Sequence, residues 1–359
     1  MKEIDAFIRQ VKFNCNISDA RFWGYYSICG LLMRYRELYR SEHSLMPWEN
    51  MPDSEVAQWI HEREMLWGDL EDTELQDIVI GGKSYGPFDV TSINTALEET
   101  GLVYSGGYGT FNKPTFFVAK LVAARDFFDY RVHYTGSELC RDLAASPAML
   151  QGRCIYVRPE VLSVFIWDRF QEMKAKQFSG LAEEMFSHYG IQRIDESSPE
   201  LFRKISDMTC DALEVFVLHE VGEAFEDDYA DDWHEILSSG LDKATELYLR
   251  GIKDIRADTS PMGPLRTIVE GRNRPRLSFF LVFLDGIRRQ IFPEIRDAFQ
   301  RFVESGDWSV IEDARRDGYR RSGALQSGAI DAWRRQKDRA SLSKYIRDAF
   351  QRSGQEKCS

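Results

Sequence analysis

The chain has 359 residues, of which 43 % are hydrophobic, 13 % aromatic and 29 % charged, and its formal net charge is −12. This length and composition predict two or three folding units, or one large domain with an appended piece, with a substantial core, and they exclude a compositionally disordered chain. The acidic balance argues against a general nucleic-acid binder, because neutralising phosphates requires a surplus of Lys and Arg on one face.

The six cysteines are widely spaced and form no C-x-x-C pair, which is typical of a reduced intracellular protein and not of a zinc ribbon or an iron–sulfur protein. The first residues, Met1–Asp5, are too charged for the core of a signal peptide. The longest apolar runs, such as Phe279–Leu284, are far shorter than a membrane span. We therefore expect a cytoplasmic protein that does not cross a membrane.

In chain order, residues 1–75 are predicted to form an N-terminal helical segment. Asn16–Asp19 is expected to cap a long amphipathic helix from Ala20 to about Glu42, and a second helix is expected over Ser54–Leu70. Residues 76–158 are predicted to be a small α+β portion. Its expected elements are a hairpin of Ile78–Ile80 with Ser84–Tyr85, a helix over Thr91–Thr100, strands at Leu102–Tyr104 and Thr115–Val118 joined by the glycine-rich Ser105–Gly109, and strands at Phe128–Tyr134 and Cys154–Val157.

Residues 159–304 are predicted to form a helical domain, and residues 305–359 a basic C-terminal helical tail. The expected helices cover 160–188, 199–227, 232–253, 264–271, 275–303 and 309–350. Residues 301–359 hold 13 Lys or Arg against 9 Asp or Glu, so the tail is suited to dock on an acidic protein partner or on the acidic body of this chain. The simpler alternative is an ordinary helical surface. The predicted fold class is mainly α, a multi-helix body with a small α+β portion in the first half.

One short motif carries most of the functional information, the H-E-x-x-E sequence of His219–Glu223. His219 and Glu223 are four residues apart, so a helix stacks them one turn from each other on one face. We expect residues 227–232 to reverse the chain and to start a second helix at Asp231 or Asp232. His234 and Glu235 would then lie beside the first helix.

These residues predict a divalent metal site with His219, Glu223 and His234 as ligands. Imidazole and carboxylate groups suit Zn²⁺, Fe²⁺ or Mn²⁺, and such an ion makes hydroxide available near neutral pH. Glu220 is the candidate general base, and Glu235 is a possible additional ligand. The motif resembles the H-E-x-x-H helix of zinc metalloproteases, but Glu223 stands where the second histidine would be, which argues against a peptidase. A solvated or salt-bridged helix face is the alternative explanation.

Two further groups of residues are candidates for the same chemistry. Glu184 and His188, also four apart, are possible additional ligands on a neighbouring helix, although a histidine near a helix C-terminus needs no metal. A set of arginines around Pro275 is suited to bind an anionic substrate or to pair with the acidic body. The arginines proposed for anion binding are Arg266, Arg272 and Arg274.

The segments 13–21 (FNCNISDAR) and 285–294 (DGIRRQIFPE) resemble signatures of an uncharacterised bacterial protein family, and the resemblance spans most of the chain. It implies a bacterial, cytosolic origin and no particular activity. Two hypotheses on function follow from the residues. The first is a metal-dependent enzyme, hydrolytic or oxidative, that acts on a small or anionic substrate. The second is a non-catalytic adaptor that binds a protein partner through the aromatic surface near Trp23–Trp48 and the basic C-terminal helices.

Overall fold

The computed structural model describes residues 2–175, 180–191, 198–226, 229–284 and 286–355. Within them the fold is mainly helical, with a small sheet region in the first half, as the sequence predicts. The chain divides into two compact units, Met1–Gln177 with Ile191–Leu213, and Phe178–Gly190 with Glu214–Ser359. The predicted four-part division at residues 75, 158 and 304 stays a prediction. None of the helices in the described ranges combines the length and the apolar character needed to cross a membrane.

The helices are α1 Lys2–Phe22, α2 Ile28–Glu42, α3 Asp53–Leu70, α4 Val90–Leu97, α5 Pro159–Ala175, α6 Leu181–Ser187, α7 Pro199–Phe225, α8 Ala230–Ser238, α9 Lys243–Thr259, α10 Pro264–Glu270, α11 Arg274–Phe283, α12 Gly286–Ile291, α13 Glu294–Ser305, α14 Ser309–Gln336 and α15 Arg339–Gln355. The strands are β1 Ile78–Ile80, β2 Lys83–Tyr85, β3 Leu102–Tyr108, β4 Pro114–Phe127, β5 Tyr130–Arg141, β6 Ala148–Gln151 and β7 Cys154–Val157. Short 3₁₀ turns cover Trp23–Tyr25, Glu98–Thr100 and Thr110–Asn112.

The first helix begins much earlier than the sequence pattern indicates. Asn16–Asp19 lies inside α1 and does not cap it, and a 3₁₀ turn at Trp23–Tyr25 separates α1 from α2. The reason is that these polar side chains have distant partners. Asn16 Oδ1 accepts hydrogen bonds from Arg63 at 2.7 Å and from Trp67 at 3.1 Å. The cap of α2 is Ser27, whose side chain accepts from Gly30 N at 3.2 Å.

The sheet of the first unit has the strand order β3-β4-β5-β7-β6, with β5 and β7 parallel and the other pairs antiparallel. The predicted β1–β2 hairpin is confirmed. The glycine-rich segment predicted as a loop lies mostly within β3, where it pairs with β4. A Cβ on Gly106 would stand 2.5 Å from Pro87 O, an approach that only glycine permits. The strand predicted at 128–134 begins at Tyr130, because β4 runs on to Phe127.

Both ends of α1 contribute to the core of the first unit. Its first turns pack Phe7, Val11 and Cys15 against the sheet side chains Tyr104 and Phe116. Its last turns join α2 and α3 in a second cluster that includes Ile17, Tyr35 and Trp67. A buried ion-pair network links the helix to the sheet, in which Lys113 Nζ lies 2.9 Å from both Asp19 and Asp142. These contacts explain why so many residues of α1 are buried.

The second unit consists of helices that are shorter than the sequence predicts. The helix expected over 232–253 is two helices, because Gly240 adopts φ +75° after α8 and Asp242 caps α9 by accepting from Thr245 N at 3.0 Å. The helix expected over 275–303 is divided into α11, α12 and α13, and the one over 309–350 is divided at Lys337, whose φ is 47°. The reversal predicted at 227–232 and the helix predicted over 160–188 fall partly outside the described residues.

The basic C-terminal helices belong to this second unit. Trp333, Leu342 and Ile346 are buried, so α14 and α15 contribute to its core. Arg334 lies 2.6 Å from Asp232 on α8, and Lys337 pairs with Glu235 of the same helix. Two cations of these helices therefore pair with acidic residues of the same unit.

Candidate metal centre

The site is built where α7 approaches α9. A Cβ added to Gly222 would lie 2.5 Å from the backbone oxygen of Ala257, closer than a side chain tolerates, so only glycine permits this approach. Buried Val217 and Val221 on α7, and Ile252 and Ile255 on α9, belong to the apolar core of the second unit. The polar residues between these apolar positions therefore meet at the helix crossing.

Three potential ligands converge there. Atoms of His219, Glu223 and Asp254 all lie within 4.8 Å of one another, and each residue is partly exposed. His219 and Glu223 are one turn apart on α7, as the sequence predicts, and Asp254 reaches them from α9. One imidazole nitrogen and two carboxylate oxygens make a ligand set suited to Zn²⁺, Fe²⁺ or Mn²⁺.

A third acidic residue holds the histidine in place. Asp258 Oδ1 lies 2.7 Å from His219 Nδ1, and Asp258 itself is only 2 % exposed. Within the described part of the chain its Oδ2 is buried without a hydrogen-bond partner, and Arg288 Nη1 is 4.0 Å away. Because Nδ1 is bonded to Asp258, Nε2 is the ring nitrogen left for an ion, which is the carboxylate–histidine–metal arrangement common in metalloproteins.

Burial and the neighbouring charges shift the pKa values of the site residues in opposite directions. Burial disfavours protonation of His219, but the charge and hydrogen bond of Asp258 outweigh it and raise the pKa of His219 to about 10. Burial acts to raise the pKa of Glu223, yet the charges of Lys253 and His219 lower it. Burial raises the pKa of Asp254. In the absence of a metal, a protonated His219 is therefore a cation in contact with these carboxylates, and a metal ion must displace its proton.

The structure does not bring His234 to this group. His234 is exposed on α8, and among the described residues it is Asp254 that lies with His219 and Glu223. Glu235 on the same helix is paired with Lys337. The physical reason is the break at Gly240, which makes α9 the helix that approaches His219.

The other predicted site residues are placed as follows. Glu220 is 8 % exposed, and its charge contributes to the raised pKa of His219. Its role as a general base stays a prediction. Glu184 and His188 are 3.7 Å apart but contact a different set of residues, since Glu184 binds Arg274 at 2.9 Å.

The three arginines proposed for anion binding do not form one cluster of unpaired cations. Arg266 pairs with Glu270 and lies 3.2 Å from Glu312, and Arg274 pairs with Glu184. Arg272 is exposed in the turn between α10 and α11. Arg266 and Arg274 therefore pair with acidic residues of the protein itself, which was the alternative to anion binding.

Asp254 and Asp258 were missed by reasoning from the sequence. A signal existed, because these two carboxylates are four residues apart and so share one face of α9, as His219 and Glu223 share a face of α7. The sequence contains many such pairs, however, and the close contact at Gly222 is what selects this one.

The fold and the site together define a mainly helical protein of two compact units, with a His/Glu/Asp group of metal-ligand type in the second unit. The family model described as the N-terminal domain of a family of unknown function (DUF6866) matches residues 6–158, and the C-terminal domain model of the same family matches residues 163–353. The chain therefore belongs to the DUF6866 family. No curated protein and no solved structure matched it. Membership of an uncharacterised family is confirmed, and the bacterial origin stays a prediction.

Proposed function

We propose that the protein binds one divalent metal ion through His219, Glu223 and Asp254, and that it is a metal-dependent enzyme acting on a small anionic substrate. The observation that carries the proposal is the convergence of one imidazole and two carboxylates within 4.8 Å. The contact of Asp258 with His219 Nδ1 supports it, because such a partner sets the tautomer of a ligating histidine and increases its basicity.

The number of ligands favours a catalytic ion over a structural one. Structural zinc sites are closed by four protein ligands, whereas catalytic sites keep a position for water or substrate. Here three protein ligands are partly exposed, so solvent has access to the ion. The ion would lower the pKa of a bound water and thus supply hydroxide for hydrolysis, or with Fe²⁺ it would support oxidation.

The surrounding cations favour an anionic substrate. The charge of Lys253 acts on Glu223, and the charge of Arg288 acts on Asp254. Arg288 lies on α12 and donates to Phe283 O at 2.6 Å, which holds the side chain on this side of the unit. A substrate with a carboxylate or phosphate would be attracted by both groups while its reacting atom approaches the ion.

The first experiment is elemental analysis of the full-length chain, purified without a His-tag, after reconstitution with Zn²⁺, Fe²⁺ or Mn²⁺. We expect near-stoichiometric metal in the wild type and at least about a ten-fold lower content in His219→Ala. The matched control is His234→Ala, because His234 is exposed on α8 and outside the group. We expect this control to keep its metal.

The outcomes separate the two explanations of the site. No bound metal in the reconstituted wild type would mean that a protonated His219 serves as the cation of a buried ion-pair cluster, and the proposal would fail. Loss of metal in both His234→Ala and His219→Ala would favour the ligand set predicted from the sequence, in which His234 is a ligand. If metal binds as expected, its identity directs the substrate screen, with anionic esters for Zn²⁺ or Mn²⁺ and dioxygen-dependent oxidation for Fe²⁺.

A second candidate function is binding of a protein partner, and one observation favours it. Five large apolar side chains within 23–33 are exposed in the first unit, and Ile28 is 81 % exposed. They are Trp23, Tyr25, Ile28, Leu32 and Met33. Trp48 is not part of this surface, because it stacks on Phe202 with a centroid distance of 4.4 Å.

The adaptor hypothesis can be tested through Cys29, which is exposed next to Ile28. A photo-crosslinker attached to this thiol should join a specific partner, and Ile28→Glu with Leu32→Glu should abolish the product. Crosslinking that is unchanged in this double variant would count against a specific apolar interface. The ion pairs of Arg334 and Lys337 with α8 weigh against the basic helices as the docking surface.

A further inference from the structure

A cavity lies in the first unit, separate from the residues of the candidate metal centre. Its volume is about 460 Å³, within the range of small-molecule pockets. The lining comes from α2 and the turn after it, from β5, from the start of α5 and from α7 before residue 213. Apolar side chains from the turn and from α5 contribute Leu45, Val161 and Val164.

The acidic residues buried in its wall already have cationic partners. Glu37 lies 2.9 Å from Arg34, and Glu138 lies 2.5 Å from Arg158. Neither arginine lines the cavity, so these glutamates are neutralised from behind the wall. Arg141, which does line it, also contacts Glu138 at 3.3 Å. The wall therefore presents little uncompensated negative charge.

Arg40 is different. It lines the cavity from α2, and within the described residues its Nε is buried without a hydrogen-bond partner. Asp168 on α5 is close enough to act on the charge of Arg40. A buried guanidinium nitrogen without an acceptor costs free energy, and a bound ligand or water that accepts its hydrogen bond would remove that cost.

We infer that this cavity binds a small organic monocarboxylate with an apolar body. The carboxylate accepts from Arg40, and the apolar body packs against Leu45, Val161 and Val164. A single negative charge fits better than a phosphate dianion, because Arg40 is one cation and the exposed Glu160, which also lines the cavity, would repel a second negative charge. The inference is independent of the proposed metal centre, since none of its residues belongs to that group.

The test uses the full-length chain and isothermal titration calorimetry with hexanoate, benzoate and phenylacetate, each compared with its neutral amide. We expect at least one acid to bind the wild type with a dissociation constant below about 1 mM, and its amide to bind at least about ten-fold more weakly. Arg40→Ala should raise the dissociation constant of the acid by at least about ten-fold. The matched control is Arg36→Ala, an exposed arginine one turn earlier on α2 that should leave binding unchanged.

A second variant keeps the test decisive if Arg40→Ala does not fold. Val164→Trp should fill the cavity and abolish binding while Arg40 stays in place, with folding checked by circular dichroism. Binding that survives Val164→Trp, or that is equal for an acid and its amide, would overturn the assignment. So would binding of none of the three acids, or binding of inorganic phosphate in their place.

Discussion

Replacing Gly222 by alanine tests whether the close approach of α7 and α9 builds the site. The added Cβ would lie 2.5 Å from Ala257 O, and an ordinary carbon contact is about 3.5 Å, so the helices must separate by roughly 0.5–1 Å. Overpacking of this kind costs about 1–3 kcal/mol, and the better helix propensity of alanine offsets about 1 kcal/mol. We expect a net loss of roughly 0–2 kcal/mol in the free energy of unfolding.

The matched control is Gly68→Ala on α3, where a Cβ would meet nothing within 4 Å. This variant should be unchanged or more stable by about 0.5–1 kcal/mol. Urea unfolding of both variants, followed by circular dichroism, checks the difference. If Gly222→Ala is as stable as Gly68→Ala, α7 and α9 are not held together as closely as the structure has them.

The same substitution should also affect the metal. A separation of about 0.5 Å exceeds the tolerance of about 0.2 Å in metal–ligand distances, and the two helices carry different ligands. We therefore expect Gly222→Ala to weaken metal binding by about ten-fold or more, and Gly68→Ala to leave it unchanged. Unaltered affinity in a destabilised Gly222→Ala variant would mean that His219 and Asp254 do not share an ion.

Three further predictions concern buried charges. Lys113→Met should destabilise the chain by about 3–5 kcal/mol in urea unfolding, because its two aspartate partners stay buried without a cation, whereas the exposed Lys120→Met should change stability by less than about 0.5 kcal/mol. A hydrogen bond from Arg315 lowers the pKa of Glu312 to about 2. The ionised Glu312 therefore stabilises the fold above pH 4.5, and this stabilisation is lost as the pH falls toward 2. Glu312→Gln should lose about 1–3 kcal/mol at pH 7 and match the wild type near pH 2. Burial raises the pKa of Asp168 to about 6, so the free energy of unfolding should fall as the pH rises from 4 to 6. Asp168→Asn should remove that fall, and a fall that persists in the variant would contradict the raised pKa.

Local patterns were sufficient for much of the fold. The helix predicted over 199–227 corresponds to α7 at Pro199–Phe225, because its start is marked by Pro199 and its apolar positions recur at helical spacing. The β1–β2 hairpin was predicted from the two glycines at its turn. The pairing of His219 with Glu223 follows from helix geometry alone. In each case the information lies within a few residues of the feature.

Polar residues were misread where their partners are distant in sequence. Asn16 and Asp19 look like capping residues, yet both are buried inside α1. Asp19 accepts from Leu143 N at 3.0 Å, a contact across 124 residues, and it also pairs with Lys113. The same side chain can cap a helix or bind a buried lysine, and its own neighbourhood in the sequence does not distinguish the two.

The sequence by itself determined the helical class, the composition of the core and the presence of His219 and Glu223 on one helix face. Only the tertiary structure decided that Asp254 of α9, and not His234 of α8, completes the group. The physical reason is that Gly240 ends the intervening helix and Gly222 allows the backbone of α9 to come close. Which helices touch depends on backbone turns and close packing, and neither is visible in the spacing of the ligands.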